Sequence, residues 1–518
     1  MRCKAHAKSF AEGTDSYTVA LSHLHARKPF RIRTCEKRRC KSSGIRTYKV
    51  IGLKIPWNQH LQKKVGVGVS RLPPFSLSTC CPASLKAARK RRALTHLAAE
   101  AILEAGELSG RACEVTPSAA SQAMHRVYFD HNATTPVDRR VLEAMLPFFA
   151  DEFGNASSIH SFGQRTRAAV ERARESVAAL VGARPAEIVF TSGGTESDNQ
   201  AIFGVVAAAP GRAGAGRKHV ITTAIEHHAV LNACQALERR GVEVTYVPVS
   251  QQGRVDPEDI RHAIRPETVL ITVMHANNEL GTLQPIEEIG RIAAEADVYF
   301  HSDAVQSAGK LPLDVNRLGV DLLSISGHKL YAPKGVGALY IRKGTRLEPL
   351  LYGGHHERDR RPGTENVAGI VGLGKAAELA REELSDGATR VAAQRDRLEQ
   401  ALLEQVPQAW VNGSRDHRTP NTANITFPFV EGEALVIALD LKGLACSTGA
   451  ACSSGAIEPS HVLTAIGLAP EDARASLRFS LGRDTSEEDV EFALATVPAV
   501  VEHLRELSPV YKKPVAAQ

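Results

Sequence analysis

Two side chains with complementary chemistry, Asp303 and Lys329, each follow an apolar stretch typical of a buried strand. The strands are expected at 298–301 and 322–325, and 26 residues separate the acid from the lysine, enough for one helix and one strand. In an α/β sheet the carboxyl ends of parallel strands share one edge, where ligands bind. A lysine that forms a Schiff base and an acid that keeps a pyridine nitrogen protonated are what pyridoxal 5'-phosphate requires. Taken alone, such a lysine is most often an exposed surface residue.

A phosphate site is indicated by residues 191–197, Thr-Ser-Gly-Gly-Thr-Glu-Ser, which follow a strand and open a helix. Backbone N–H groups at a helix N-terminus, here at Gly194 and Thr195, bind anions, and the Thr195 hydroxyl would add a further donor. Ser326 and His328 would complete the cradle. By itself the pattern is better explained by a simple helix cap at Thr195.

Two further residues could act on a substrate at this edge. His227 follows the strand expected from His219, where an imidazole could stack on a cofactor ring and move protons, although a single loop histidine is usually structural. Arg478 lies in the strand-like alternation 477–480, and its guanidinium could bind a carboxylate through two N–H groups.

A segment of small residues, 445–455, carries Cys446 and Cys452. A cysteine on an exposed loop is a candidate nucleophile or redox thiol. The alternative, slightly favoured for the loop by itself, is two small cysteines packed in a core. The adjacent pair His355 and His356 has no carboxylate spacing to support it, so we predict a loop there and no resident metal site.

Between these sites, short β-branched runs alternate with amphipathic helical stretches, which predicts an α/β fold with a mostly parallel sheet covered by helices. Strands are predicted at 188–190, 219–222, 242–247, 269–274, 298–301, 322–325 and 338–341, and helices at 166–181, 196–207, 229–240 and 286–295. From about residue 386 the pattern changes to a helix at 390–404, a strand at 425–427, a helix from 431 and a closing helix from 486. We therefore expect a large domain, 125–385, and a smaller α+β domain, 386–518, that carries the cysteine loop.

The first 124 residues of the 518 differ from the rest in charge. They hold 23 Lys and Arg against 7 Asp and Glu, whereas residues 125–518 have a net charge of −9. Segment 1–124 is predicted to be a disordered or spurious extension, with a nucleic-acid-binding arm or an organellar transit peptide as alternatives. Three cysteines in residues 125–518 indicate a cytoplasmic protein rather than a disulfide framework, and no apolar run is long enough to cross a membrane.

With these pieces assembled, the chain resembles the cysteine desulfurases of the NifS/IscS type, which are pyridoxal-phosphate enzymes of aminotransferase fold type I. The resemblance runs from about Val127 to Pro509, and some short stretches of sequence resemble the nitrogen-fixation branch of the family more than the housekeeping branch. Its motifs are Tyr128-Phe129-Asp130-His131-Asn132-Ala133-Thr134-Thr135-Pro136, Asn277-Asn278-Glu279, Arg361-Pro362-Gly363-Thr364-Glu365-Asn366, Glu458-Pro459-Ser460-His461 and Arg478-Phe479-Ser480-Leu481-Gly482-Arg483, together with those around Thr195, His227, Asp303, Lys329 and Cys452.

The resemblance implies a role for each matching residue. Lys329 would carry the cofactor as a Schiff base, Asp303 would pair with its ring nitrogen and Gln306 with its ring hydroxyl. The remaining cofactor contacts would be Gly194, Thr195, His227, Asn278, Ser326, His328 and, from the other subunit of a homodimer, Thr364. Asn132 and Arg478 would bind the carboxylate of L-cysteine.

His227 would also act as acid and base, and Cys452 would take the substrate sulfur as a persulfide and leave L-alanine. The long cysteine loop is similar to those that pass sulfur to an iron–sulfur scaffold or another acceptor. Cys452 would also be a possible cluster ligand if a cluster is transferred. Cys446, without a family counterpart, is predicted to pack in the core.

Two alternatives remain open at the level of sequence. One is a selenocysteine lyase or related lyase of cysteine derivatives on the same fold, because the motifs do not distinguish sulfur from selenium. The other is a cofactor-holding regulator that uses the basic segment on nucleic acid, an interpretation that the presence of Lys329, Cys452 and Arg478 disfavours. The acceptor and the pathway, whether iron–sulfur assembly, nitrogen fixation or tRNA thiolation, are not given by the motifs.

Overall fold

In the computed structural model the described residues are 125–209, 218–448 and 459–511, with four two-residue strands near the N-terminus. Those strands pair antiparallel, His6–Ala7 with Val19–Ala20 and Lys37–Arg38 with Thr47–Tyr48. The predicted disorder of segment 1–124 otherwise lies outside the described residues. The chain divides into two units, 1–116 and 117–518.

The second unit alternates strands and helices along the chain. Its strands are β1 (Val127–Tyr128), β2 (Ile188–Thr191), β3 (His219–Thr223), β4 (Glu243–Val247), β5 (Thr268–Thr272), β6 (Tyr299–Asp303), β7 (Leu322–Ser326), β8 (Gly337–Ile341), β9 (Trp410–Val411), β10 (Thr422–Thr426), β11 (Leu444–Ala445) and β12 (Ser476–Ser480). Its helices are α1 (Arg139–Met145), α2 (Pro147–Ala150), α3 (Ser161–Leu180), α4 (Gly194–Ala208), α5 (His228–Glu238), α6 (Pro257–Ala263), α7 (Ile286–Glu295), α8 (Val315–Leu318), α9 (Val367–Gln405), α10 (Gly432–Lys442), α11 (His461–Ala465), α12 (Pro470–Arg474) and α13 (Glu487–Leu507).

A seven-stranded sheet, in the order β2-β8-β7-β6-β5-β3-β4, forms the centre of the larger part. Pairs from β7 through β4 are parallel, and only β8 runs against its neighbours β7 and β2. All seven predicted strands are confirmed. Six of them are buried on both faces along nearly their whole length, as parallel sheets require, whereas β4 at the edge is exposed at Glu243 and half-buried over the next three residues. The predicted mostly parallel α/β fold is therefore confirmed.

The C-terminal part is built on an antiparallel sheet, β9-β10-β12, against which α9, α10 and α13 pack. Its core also takes in Val127 and Phe129, because β1 pairs in parallel with β11. Helix α9 runs without interruption through positions 385 and 386, where the sequence predicts a domain boundary. We keep the two-part division as a proposal, and we assign β1 to the C-terminal part by its packing.

Within the described residues, no helix combines the length and the apolar composition that crossing a membrane requires. The longest helix, α9, has a mixed surface in which charged residues recur from Lys375 onward. Its most extensive contacts are with α3, and it also packs against α13. Helix α9 thus links the large sheet layer to the C-terminal core.

Candidate active site

The carboxyl ends of β2, β3, β6 and β7 meet at one edge of the central sheet, where they border a cavity of about 310 Å³. Most of the predicted site residues line it. They are Asn132, Gly194, Thr195, His227, Asn278, Asp303, Gln306, Ser326, His328, Lys329 and Arg478. The cavity thus brings together residues that are as far as 346 positions apart in the chain.

Lys329 lies at the end of a single 3₁₀ turn, Gly327–Lys329, which follows β7 directly. A Cβ at Gly327 would come within 2.9 Å of Val336 Cγ1, so the tight turn requires glycine there. The Lys329 ammonium donates hydrogen bonds to the carbonyl oxygens of Asn132 and Ala133, the latter at 2.8 Å. These contacts hold the amine against the loop that contains Asn132 and Ala133, at the wall of the cavity.

At one end of the cavity, the N-terminus of α4 presents its unpaired backbone N–H groups. A Cβ at Gly194 would lie 2.7 Å from Val305 Cγ2, so only glycine lets this backbone pass close to the neighbouring loop. The Ser326 side chain lies beside it, since its Cβ would be 3.4 Å from a Cβ built on Gly194. His328 is held through Nδ1 by the Thr134 hydroxyl at 3.2 Å, and burial lowers its pKa to about 4. The end is therefore rich in neutral donors, which suits a phosphate.

Asp303, which also lines the cavity, closes β6, and its Oδ1 accepts a hydrogen bond from the Val305 N–H at 2.8 Å. Burial raises the pKa of this carboxyl, while the nearby Lys329 opposes the shift. A second acid, Asp198 on α4, also lines the cavity, and burial together with the charge of Asp303 raises its pKa. Two buried carboxyl groups near each other favour a cationic partner between or beside them.

His227 precedes α5 and caps it, because its Nδ1 accepts a hydrogen bond from the Ala229 N–H at 3.1 Å. Burial, assisted by the charge of Lys329, lowers the pKa of His227 to about 4. The ring is therefore neutral at pH 7 and, with Nδ1 accepting, carries its proton on Nε2. A neutral imidazole with a fixed tautomer can stack on a ring and donate or accept one proton.

Arg478 on β12 is buried, with 2% of its surface exposed. Its Nη2 donates to Asp130 Oδ1 at 2.6 Å and its Nη1 to the Asn278 carbonyl at 3.0 Å. Its Nε has no hydrogen-bond partner among the described residues, and neither does Asp198 Oδ1, whose contact with His301 Nε2 is 3.7 Å long. Buried polar atoms of this kind normally have a partner, so the cavity has unmet donor and acceptor capacity for a polar ligand.

Both polar atoms of the Asn132 carboxamide form hydrogen bonds within the chain. Its Nδ2 donates to the Asn278 carbonyl at 3.1 Å and to Thr422 Oγ1 at 2.9 Å, and its Oδ1 accepts from Lys310 and from Asn421. A substrate carboxylate could therefore bind Asn132 only by displacing one of these bonds. The Arg478 side chain is the better anchor for a carboxylate.

Two predicted residues, Thr364 and Cys446, do not line the cavity, and Cys452 cannot be placed relative to it. Thr364 is exposed, on the loop before α9, and does not line the cavity. Cys452 lies outside the described residues. Cys446 is buried in the C-terminal core, and burial raises the pKa of its thiol to about 12, so the prediction that it packs is confirmed.

Sequence reasoning missed Asp198, which lies one helical turn after Thr195. Residues at i and i+3 share a helix face, so an acid three positions beyond a suspected phosphate-binding threonine was a recognisable signal. The residues present fit pyridoxal phosphate, because a helix N-terminus with hydroxyl donors, a lysine and a buried acid all line one cavity.

Comparison with known proteins agrees with this geometry. The family model for class-V aminotransferases matches residues 127–492. The cysteine desulfurase IscS of Dictyoglomus turgidum is 52% identical over 387 residues, which cover 75% of this chain and 97% of that protein. That of Methanosarcina thermophila is also 52% identical over 387 residues and is covered over 95% of its length.

Among solved structures, a NifS-like protein aligns with a TM-score of 0.68 and 39% identity. The alignment covers 73% of this chain and 100% of that one. The alignments cover nearly the whole length of these relatives. The part of this chain that they do not cover is about as long as the N-terminal segment.

Proposed function

The chain belongs to the class-V aminotransferase family, and within it to the cysteine desulfurases of the NifS/IscS type. We propose that it removes sulfur from L-cysteine, releases L-alanine and holds the sulfur as a persulfide on Cys452. The observation that carries the proposal is the convergence of Lys329, Asp303, the α4 N-terminus and Arg478 on one cavity.

We propose pyridoxal 5'-phosphate as the cofactor. Lys329 would hold its aldehyde carbon, Asp303 would pair with its ring nitrogen and Gln306 with its ring oxygen. The donors Gly194, Thr195, Ser326 and His328 would bind its phosphate. When bound, the cofactor withdraws electrons from the substrate Cα, which is what cleavage of the neighbouring C–S bond requires.

Substrate binding falls to Arg478. Its position on a buried strand, with Asp130 and the Asn278 carbonyl holding both terminal nitrogens, fixes the guanidinium before a ligand arrives. Preorganised charge of this kind binds a carboxylate without a further loss of side-chain entropy at that moment. Asn278 lines the cavity beside it.

Proton movement falls to His227, whose ring is neutral and whose Nδ1 is engaged by the backbone. The Nε2 atom then exchanges protons with the substrate. The Cys452 thiolate forms the new S–S bond with the substrate sulfur, the C–S bond breaks, and the carbon that keeps the bonding electron pair takes up a proton. Alanine and an enzyme persulfide result.

The exposed loop that carries Thr364 does not line its own cavity, and we propose that Thr364 serves the cavity of a second copy in a homodimer. The loop is anchored to α4 by Arg361, which donates to Glu196 at 2.8 Å. We propose that an iron–sulfur scaffold or another sulfur acceptor takes the persulfide, with cluster assembly, including that for nitrogen fixation, as the pathway.

The test is the release of alanine and sulfide from L-cysteine, with cofactor and a thiol reductant present. The unaltered chain is compared with Cys452→Ala and Lys329→Ala, and Cys446→Ala and Lys343→Ala are the matched controls. We expect turnover in the unaltered chain and both controls and none in the two site variants. Binding of the cofactor without any alanine release would refute the desulfurase proposal, and faster release from selenocysteine would favour a selenocysteine lyase.

A further inference from the structure

A second lysine, Lys310, lies beside the cavity and has no part in the scheme above. It follows β6 by seven residues, in a turn whose Gly309 adopts a φ of +73°. A Cβ at that position would also overlap the Leu330 side chain, so the turn requires glycine. The turn sends the Lys310 side chain back toward Asn132 and Gln306.

The Lys310 ammonium donates to two neutral oxygens, Gln306 Oε1 at 3.0 Å and Asn132 Oδ1 at 3.1 Å. Within the described residues, no carboxylate pairs with it. Burial lowers the pKa of Lys310 to about 7, and the charges of Lys329 and Arg478 add to the shift. A half-buried amine that is held only by amide oxygens and lies close to two cations should contribute little to folding stability.

The contact has a directional consequence for Gln306. A lysine amine carries N–H donors whether or not it is charged, so the Gln306 atom that faces it must be the oxygen. The Gln306 Nε2 atom then points the other way and donates one hydrogen to the Asn132 carbonyl at 3.0 Å. Asn132 is the only partner of Nε2 among the described residues, and its second hydrogen remains for a ligand in the cavity that Gln306 lines.

We propose that Lys310 is a positioning residue that holds and polarises the Gln306 carboxamide, so that its Nε2–H donates to the oxygen on the cofactor ring. The inference rests on the proposed function, because it concerns the same cofactor. A donor on Oε1 fixes the rotamer of Gln306 and strengthens its N–H as a donor, as hydrogen bonds in series polarise one another.

The experiment measures the dissociation constant of pyridoxal phosphate, by its visible absorption, and the unfolding midpoint of the cofactor-free chain. For Lys310→Met we expect the dissociation constant to rise about 3- to 10-fold, the loss of about one hydrogen bond. The unfolding midpoint should stay equal or rise, because a poorly solvated amine is removed. A purely structural lysine would lower the midpoint and leave the affinity unchanged.

Two further variants sharpen the result. Gln306→Met should weaken the affinity by itself, and Lys310→Met should add little to it in the double variant, since both remove the same interaction. The control is Lys343→Met, an exposed lysine just beyond β8, at the opposite edge of the sheet. If Lys310→Met does not fold, Lys310→Gln replaces it, with a smaller loss expected.

Equal affinity in the folded Lys310 variant, or additive losses in the double variant, would overturn the inference. These outcomes are distinct from failure of the proposed function. If the unaltered chain did not bind pyridoxal phosphate at all, the cofactor assignment itself would fall. If it bound the cofactor and turned over cysteine while Lys310→Met bound equally well, only the role of Lys310 would be wrong.

Discussion

Replacing Glu226 by glutamine should change the pH dependence of stability in a defined direction. The Glu226 side chain is fully buried beside the active-site cavity, where Thr223 Oγ1 donates to it at 2.7 Å and the Met274 N–H at 3.0 Å. Burial raises its pKa from 4.5 to about 8, and the charge of Asp303 adds to the shift. The folded chain therefore keeps a proton on Glu226 that the unfolded chain has lost at neutral pH.

The magnitude follows from the pKa difference. Below pH 4.5 the carboxyl is protonated in both states, and the full stability is present. Between pH 4.5 and 8 the folded state binds more protons than the unfolded state, so the free energy of unfolding falls as the pH rises. The fall due to Glu226 is at most about 5 kcal/mol over this interval, at about 1.4 kcal/mol per unit of pKa difference.

Because glutamine is neutral at every pH, Glu226→Gln should abolish this component. In denaturant unfolding, the variant and the unaltered chain should differ little at about pH 5, and the variant should be the more stable by several kcal/mol at about pH 8.5. Glu175→Gln, an exposed position on α3, is the control and should show no such divergence. A stability difference that does not change with pH would refute the reasoning.

Three further predictions concern binding and catalysis. Arg478→Lys keeps the charge but loses the planar pair of donors, so the KM for L-cysteine should rise about 10-fold with a smaller change in kcat; a change in kcat alone would contradict a carboxylate role. Arg361→Ala removes the cation that holds Glu196, and the Oε2 of Glu196 also accepts a hydrogen bond from the Ser192 N–H just before the proposed phosphate site. Cofactor affinity should therefore fall about 5-fold. Arg317→Ala, on the exposed surface, is the control and should leave the affinity unchanged. A chain that starts at Met124 should keep its kcat/KM for L-cysteine, and a large loss would show that the N-terminal segment contributes to activity.

The central sheet was predictable because each of its strands is a short apolar run bounded by polar turns. The reversed direction of β8 was not predicted, although the ten residues 327–336 that connect it to β7 are too few for the helical crossover that joins parallel neighbours. The pairing of β1 with β11 joins residues more than 300 positions apart. No local pattern specifies such a contact, so the place of β1 in the C-terminal core appears only in the structure.

Helix α9 shows how tertiary packing overrides a local signal. The sequence predicts only its second half, because Gly369, Gly372 and Gly374 have low helix propensity. A Cβ on Gly374 would lie 2.5 Å from Ala173 Cα, and one on Gly372 would lie 2.7 Å from Met145 Sδ. These glycines let α9 approach α3 and α1 closely, and the packing gained there outweighs their cost to the helix.

Most of the candidate site was predictable, because its residues follow strands in recognisable motifs. Asp198 and Lys310 were missed for different reasons. The chemistry of Asp198 depends on its burial beside Asp303. The role we infer for Lys310 depends on two amide oxygens, one from Gln306 four positions earlier and one from Asn132, 178 positions away. The spacing of Asp198 from Thr195 is a local signal, but the contact between Lys310 and Asn132 has none, because the two residues are so far apart in the chain.

The most direct test of the desulfurase account is the mass of the chain after a single turnover. The cofactor-loaded protein would be mixed with one equivalent of L-cysteine without reductant, digested and analysed by mass spectrometry. We predict one added sulfur atom on the peptide that contains Cys452, and none on that peptide in Cys452→Ser, with Cys446→Ser unchanged from the unaltered chain. Alanine release with no sulfur on Cys452, or with the sulfur on another cysteine, would contradict the account.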